Sequence, residues 1–306
     1  MISDTTKGVF AVLGAAVIWG LSPIFYKALA HVPALDVLSH RMIWSLVFFG
    51  CVLAVQGRLR EIPAAFTNRR TGMLIVLASL LIAVNWAMFI WAIQVGLTTQ
   101  SSLGYYIYPL ISVLFGRLFF AEMLSNAQWS AIALVTVAVC VLTFGVGHLP
   151  WVALFLASTF AVYGVLKKQL QIGPVLSVTI EVMLVSPVAV LLLCGTYLED
   201  APVFGGDFLT FVLLVMAGPM TAVPLILFGY GSKRMKMASV GLILYLNPTM
   251  QFVSAVFLFA EPFSGWHLVA FTLIWIALAI YSASALRQEK ARRSAARQVP
   301  ASETVS

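Results

Sequence analysis

"YPLISVLFGRLFFAE" at 108–122 and "NPTMQFVSAVFLFAE" at 247–261 are one pattern written twice, 139 positions apart. Each runs from a proline, through an apolar stretch of helical length, to Ala-Glu. Tyr106, Pro109 and Glu122 therefore match Tyr245, Pro248 and Glu261. The same offset of 139 carries Val84 to Val223 and Trp91 to Tyr230, while Arg41 matches Glu181 at 140. Between the first spans of the two copies the register slips, and Trp19-Gly20 matches Tyr163-Gly164 at 144. The chain thus reads as a duplicated unit of about half its length. If each copy crosses a membrane an odd number of times, the copies lie upside down relative to each other, an arrangement typical of secondary transporters.

The composition supports a membrane setting. Of 306 residues 61% are hydrophobic and 9% charged, whereas a soluble domain carries about 25% charged residues. Ten apolar segments follow one another, at 7–29, 35–56, 72–96, 99–120, 126–146, 150–168, 174–194, 208–231, 237–259 and 265–286. Most reach the ~20 residues that a helix needs to cross the hydrocarbon core. The alternation of membrane β-strands is absent. The expected fold is an all-α membrane protein of ten transmembrane helices, arranged as two inverted five-helix repeats over 7–146 and 150–286. Residues 287–306 form a basic tail, read as disordered and in contact with anionic lipid heads.

Lys and Arg set the orientation. Of the 18, 16 fall on one side: Lys7, the segment 58–70, Arg117, Lys167, Lys168, Lys233, Arg234, Lys236 and the tail. Lys27 and Arg41 are the exceptions. The opposite side has the acidic loop "GTYLEDAPVFGGD" at 195–207. Both termini are expected in the cytoplasm. "ALA" at 28–30 resembles a signal-peptidase site, but the preceding run is too long for a signal core and is interrupted by Trp19, Gly20 and Pro23, so the first segment is read as a span. Cys51, Cys140 and Cys194 are read as buried, inert thiols, since no spacing points to zinc or a disulfide framework.

Charges inside spans are expensive and default to function. They are His40, Arg41 and Glu181, with Lys27 nearer an end. Arg41 lies roughly 10 Å from one face and Glu181 similarly deep from the other, so direct pairing is not expected and each is assigned to the cavity near one gate. Glu181 is the candidate proton carrier, and His40, which titrates near neutral pH unaided, is the second. Protons are the candidate coupling ion. Aromatic and amide residues inside the repeated spans supply candidate cavity walls: Trp91, Tyr106, Tyr108, Tyr230, Tyr245 and Asn247, with Arg41 for substrate charge. Asn85, Trp86, Gln94 and Tyr105 lie in the same stretches. Pro109 and Pro248 remove backbone donors at equivalent places and are the candidate hinges. Glu122 and Glu261 each stand just before a span begins and are read as stabilising that helix N-terminus.

No His-Glu-x-x-His, Gly-x-Ser-x-Gly or Walker loop is present, so an enzyme is not expected. The four histidines are scattered, and no metal or cofactor is expected. No basic stripe with interleaved aromatics occurs, so neither is a nucleic-acid partner.

"AVIWGLSPIFYK", "LSHRMIW", "NWAMFIWA", "SLGYYIYPL" and the two proline-to-glutamate stretches resemble the RarD-type proteins, in the EamA branch of the drug/metabolite transporter superfamily. The resemblance covers residues 7–286. It implies ten helices, two EamA units, a bacterial inner membrane and a permease, with export the favoured direction. Members are often labelled chloramphenicol-sensitivity proteins. The family's Asn-Pro stands as Tyr108-Pro109 in the first copy and as Asn247-Pro248 in the second. The expected function is a secondary transporter moving a small organic metabolite or drug by alternating access, its partners being that substrate and the membrane lipids. A lipid-head-group flippase and, behind it, an intramembrane enzyme are the alternatives.

Overall fold

The computed structural model describes residues 3–66, 68–198, 207–235 and 237–298. Most of the acidic loop, Lys236 and the end of the tail lie outside the described residues. Among the described residues every regular element is helical: α1 (Asp4–Ala28), α2 (Ala34–Val55), α3 (Glu61–Ala64), α4 (Arg69–Gln94), α5 (Thr98–Phe120), α6 (Asn126–Val146), α7 (Trp151–Gln169), α8 (Pro174–Leu198), α9 (Phe208–Ser232), α10 (Met237–Leu244), α11 (Leu246–Val253), a π-helical turn Ser254–Leu258, and α12 (Gly265–Gln298). Among the described residues ten helical spans are long and apolar enough to cross a membrane.

Several hydroxyls inside these spans are satisfied locally, as an apolar solvent favours. The hydroxyls of Ser39, Ser79, Thr143, Thr179 and Ser186 each donate to the carbonyl four residues earlier. Helix starts carry their own acceptors. Ser3, Asn68 and Asp207 accept from the first turns of α1, α4 and α9, and Ser125 with Gln128 forms a capping box on α6, which meets the orphan donors of a helix N-terminus.

The loops of a ten-fold crossing alternate between two ends. The end holding 29–33, 95–97, 147–150 and 259–264 is here the upper end; that holding 56–68, 121–125, 170–173 and 233–235 is the lower. Helix pairings come in matched sets. α1 packs on α9 and α11, α7 packs on α4 and α5, α2 packs on α9, and α8 packs on α4. Exchanging each span for the one five crossings away turns the first pair of contacts into the second, and the third into the fourth. The pairs α2–α8, α5–α11 and α6–α12 map onto themselves. One core cluster, around Met42, Phe49, Ile90 and Leu214, joins α1, α2, α4, α8 and α9. A second, around Leu103, Leu142 and Phe271, joins α5, α6 and α12.

Three expectations need correction. The cysteines are not buried: Cys51, Cys140 and Cys194 are all exposed, because an apolar thiol sits as readily on an outward helix face of a membrane bundle as in its core. The tail does not begin as an irregular segment, since α12 continues to Gln298. The ninth span is not one helix. It breaks at Tyr245, between α10 and α11, where Pro248 leaves the Leu244 carbonyl without its helical donor.

Candidate functional site

Arg41 sits on α2 and is 7% exposed. Its Nε donates to Thr221 Oγ1 on α9 at 2.8 Å. The guanidinium lies 3.9 Å from the Trp86 ring centre and 5.7 Å from that of Tyr26, a cation–π arrangement strengthened by desolvation. Gly218 lets α9 come close enough. A Cβ there would stand 2.5 Å from the Trp44 carbonyl carbon, so any side chain would push Thr221, one turn on, away from Arg41. Among the described residues no carboxylate lies within ion-pair distance of Arg41; the ion pairs are Lys7–Asp4, Arg58–Glu61, Lys167–Glu181 and Lys168–Glu122.

Glu181 on α8 forms a second buried cluster, at 1% exposure. Its Oε1 accepts from Lys167 Nζ at 2.6 Å and Ser177 Oγ at 2.7 Å, and its Oε2 from the Tyr163 hydroxyl at 2.9 Å. Lys167 also contacts the Ser177 hydroxyl. Lys167 and Tyr163 are one turn apart on α7, and Ser177 and Glu181 one turn apart on α8, so helical spacing forms each pair and the turn at 170–173 brings the two pairs together.

A row of rings joins the two clusters. Tyr26 meets Phe89 at 5.9 Å, Phe89 meets Tyr105 at 5.8 Å, Tyr105 meets Phe160 at 6.2 Å, and Phe160 stacks on Tyr163 at 5.8 Å and 17°. Tyr108 joins beside Phe160 at 4.8 Å. Trp86, Tyr105, Phe160 and Tyr163 all keep partial exposure although they lie among packed helices. Together they give an aromatic wall with a cation at one end and an ion pair at the other.

The remaining sequence candidates are dispersed. Tyr106 faces α12, with Phe271 at 6.0 Å and Trp275 at 6.3 Å, and its hydroxyl meets Thr249 Oγ1 at 2.7 Å. Its neighbour Tyr105 faces the Arg41 side instead. Tyr245, at the break between α10 and α11, packs on the same cluster as Tyr106. Trp91 meets Trp151 at 5.8 Å near the upper end. Tyr230 is 41% exposed near the lower end, under the Arg234 guanidinium at 3.6 Å. Asn247 accepts from Gln251 at 2.7 Å. His40 is buried beside Arg41 on α2. Pro109 lies inside an unbroken α5, whereas Pro248 follows the break. Trp86 stood among the aromatic residues of the sequence but was not singled out. Tyr26, Phe89, Phe160, Tyr163, Lys167, Ser177 and Thr221 were not identified as site residues. The one signal in the sequence was for Ser177, one helical turn before the buried Glu181.

Glu122 and Glu261 differ from each other. Ala121 and Ala260 precede them with left-handed φ of 53° and 51°, ending the preceding helix in the same way. Glu261 is 8% exposed and accepts from Thr98 N, Thr99 N and Thr99 Oγ1, each at 2.7 Å. The helix it caps is α5, not the following α12 as the sequence order implied. Glu122 pairs instead with Lys168 at the solvent-exposed lower end. The upper end carries further ties: Gln94 donates to Leu29 O and Val32 O at 3.1 and 3.0 Å, Lys27 to Ile93 O and Gln94 O at 3.4 and 3.3 Å, and His31 meets Thr210 at 2.9 Å.

Comparison with known proteins gives a consistent picture. Residues 6–144 match the model of the EamA-like transporter family. The chain is 38% identical to an uncharacterized transporter, YojE, of Bacillus subtilis (strain 168), over 95% of this chain and 99% of that one. It is 34% identical to the protein RarD of Salmonella typhimurium, over 94% and 98% respectively. A solved crystal structure shares the fold at a TM-score of 0.61, with 15% identity, over 93% of this chain and 98% of that chain.

Proposed function

This chain belongs to the EamA-like transporter family as a RarD-type member, a multi-pass membrane transporter, and from that premise we propose that it is a secondary transporter working by alternating access. Two inverted five-helix repeats, 7–146 and 150–286, face each other across a pathway lined by the ring row between Arg41 and Glu181. The cargo is a small organic metabolite or drug. The lower end and both termini face the cytoplasm, following the basic residues, in a bacterial inner membrane, and export is the direction.

The observation that carries this reading is the unlike state of two equivalent glutamates. Glu261 holds the N-terminus of α5 at the upper end, while Glu122, its match at 139 positions, is turned out to Lys168. Among the described residues the upper end is latched by its glutamate and the lower end is not, as expected of a molecule resting in one of two exchangeable states. The matched helix pairings support the duplication that makes exchange equivalent. Glu181 with Lys167 is the proposed coupling pair, since a proton on Glu181 would release the lysine, and His40 is the second candidate.

The experiment is untargeted metabolite profiling inside and outside cells with the protein deleted and overproduced, followed by flux in proteoliposomes. A compound that accumulates on deletion and moves in liposomes supports the reading. A product of changed mass in sealed liposomes contradicts it.

A further inference from the structure

We propose that the Arg41 recess is an anion site and that its ligand is a small monocarboxylate with a flat, unsaturated body; calling that ligand the cargo rests on the transporter reading above. Among the described residues the other charges inside the bundle have partners. Glu181 has Lys167, Glu261 has the amides of Thr98 and Thr99, the half-buried Lys27 has the carbonyls of Ile93 and Gln94, and the buried Asp36 accepts from the Thr196 hydroxyl at 3.2 Å. Arg41 has a hydroxyl, Thr221, and two ring faces. None of these supplies a negative charge, and burying an unanswered cation in an apolar bundle is costly. A residue needed only to bind Thr221 could be neutral.

The donor inventory points the same way. A guanidinium has five N–H groups, and Nε uses one. The terminal nitrogens bond to no described residue, yet they are not among the sealed polar atoms without partners, which are Ser45 Oγ, Asn85 Oδ1 and Thr98 Oγ1. They therefore keep some exposure, within the 7% of the residue as a whole. Two parallel N–H groups fit a carboxylate. The partly exposed rings of Trp86 and Tyr105 offer the flat wall. A single unanswered positive charge calls for one negative charge, not two.

Radiolabelled benzoate is the probe, used on the purified full-length protein, with benzamide and benzylamine as uncharged and cationic competitors of the same shape. Saturable benzoate binding is expected, with both competitors weaker by about tenfold or more, as loss of a charge-assisted hydrogen bond implies. Arg41→Gln should abolish binding, and Arg41→Lys should keep a weakened part of it. The inference is overturned if either competitor matches benzoate, if no saturable binding appears at millimolar benzoate, or if folded Arg41→Gln binds as wild type. Should Arg41→Gln not fold, the competition on the wild-type protein decides alone. Arg41-dependent binding with no flux of any compound in liposomes would keep the anion site and remove the transporter reading. Flux of neutral or cationic compounds, with benzoate ignored, would do the reverse.

Discussion

Lys167 and Glu181 show what a charge in an apolar bundle needs. The carboxylate side chain is fully sealed and the lysine side chain 22% exposed. Removing one partner of such a pair costs about 3–5 kcal/mol, much of it from stranding the other. Glu181→Gln and Lys167→Met should each lower the melting temperature clearly, and the double variant should lose much less than the sum, as a double-mutant cycle would measure. Strict additivity would mean that the two do not act as a pair. Glu181→Gln should also change the dependence of transport on a pH gradient, and an unchanged dependence would remove Glu181 as the proton carrier. At this scale the sequence was legible where a charge interrupted an apolar run, which is why Arg41 and Glu181 stood out. It was not legible for the rings. Tyr105 and Tyr106 are adjacent and point to different clusters. In a soluble helix the polar face would tell them apart, but in a membrane both faces are apolar and that cue is lost.

At the scale of the element, two pairs that look equivalent in sequence behave differently. Pro109 and Pro248 carry the same chemistry at matched positions, yet α5 runs through its proline and the ninth span breaks before its own. Local sequence marks where a helix can break, and packing selects which one does. The glutamates follow the same rule. Glu261 satisfies two amides and a hydroxyl of α5 in a buried setting, and charge-assisted hydrogen bonds are worth about 1.5–3 kcal/mol. Glu122 makes an exposed ion pair, worth about 0–1 kcal/mol. Glu261→Ala should therefore destabilise the detergent-solubilised protein by roughly 1.5–3 kcal/mol, and Glu122→Ala by no more than about 1 kcal/mol. Equal shifts in melting temperature would contradict the asymmetry. The acid before a span was readable as a helix cap. That Glu261 caps α5, whose start lies 163 positions earlier, was not, because sequence neighbours do not report which helix ends meet in space.

For the whole molecule, the ten spans were readable because apolar length survives in sequence. The partners of each span were not, yet the contacts pair off under exchange of the two halves. If the molecule works by alternating access, the two ends of the pathway exchange states. The offset of 139 supplies matched label sites: Val95 with Leu258 at the upper end corresponds to Arg234 with Phe119 at the lower. All four residues are exposed, and replacing Cys51, Cys140 and Cys194 first would leave only the chosen labels. Spin-label distances for the two pairs in liposomes should each show two populations, and conditions that lengthen one should shorten the other. A single fixed distance at both ends, unmoved by a pH gradient or by benzoate, would contradict the account.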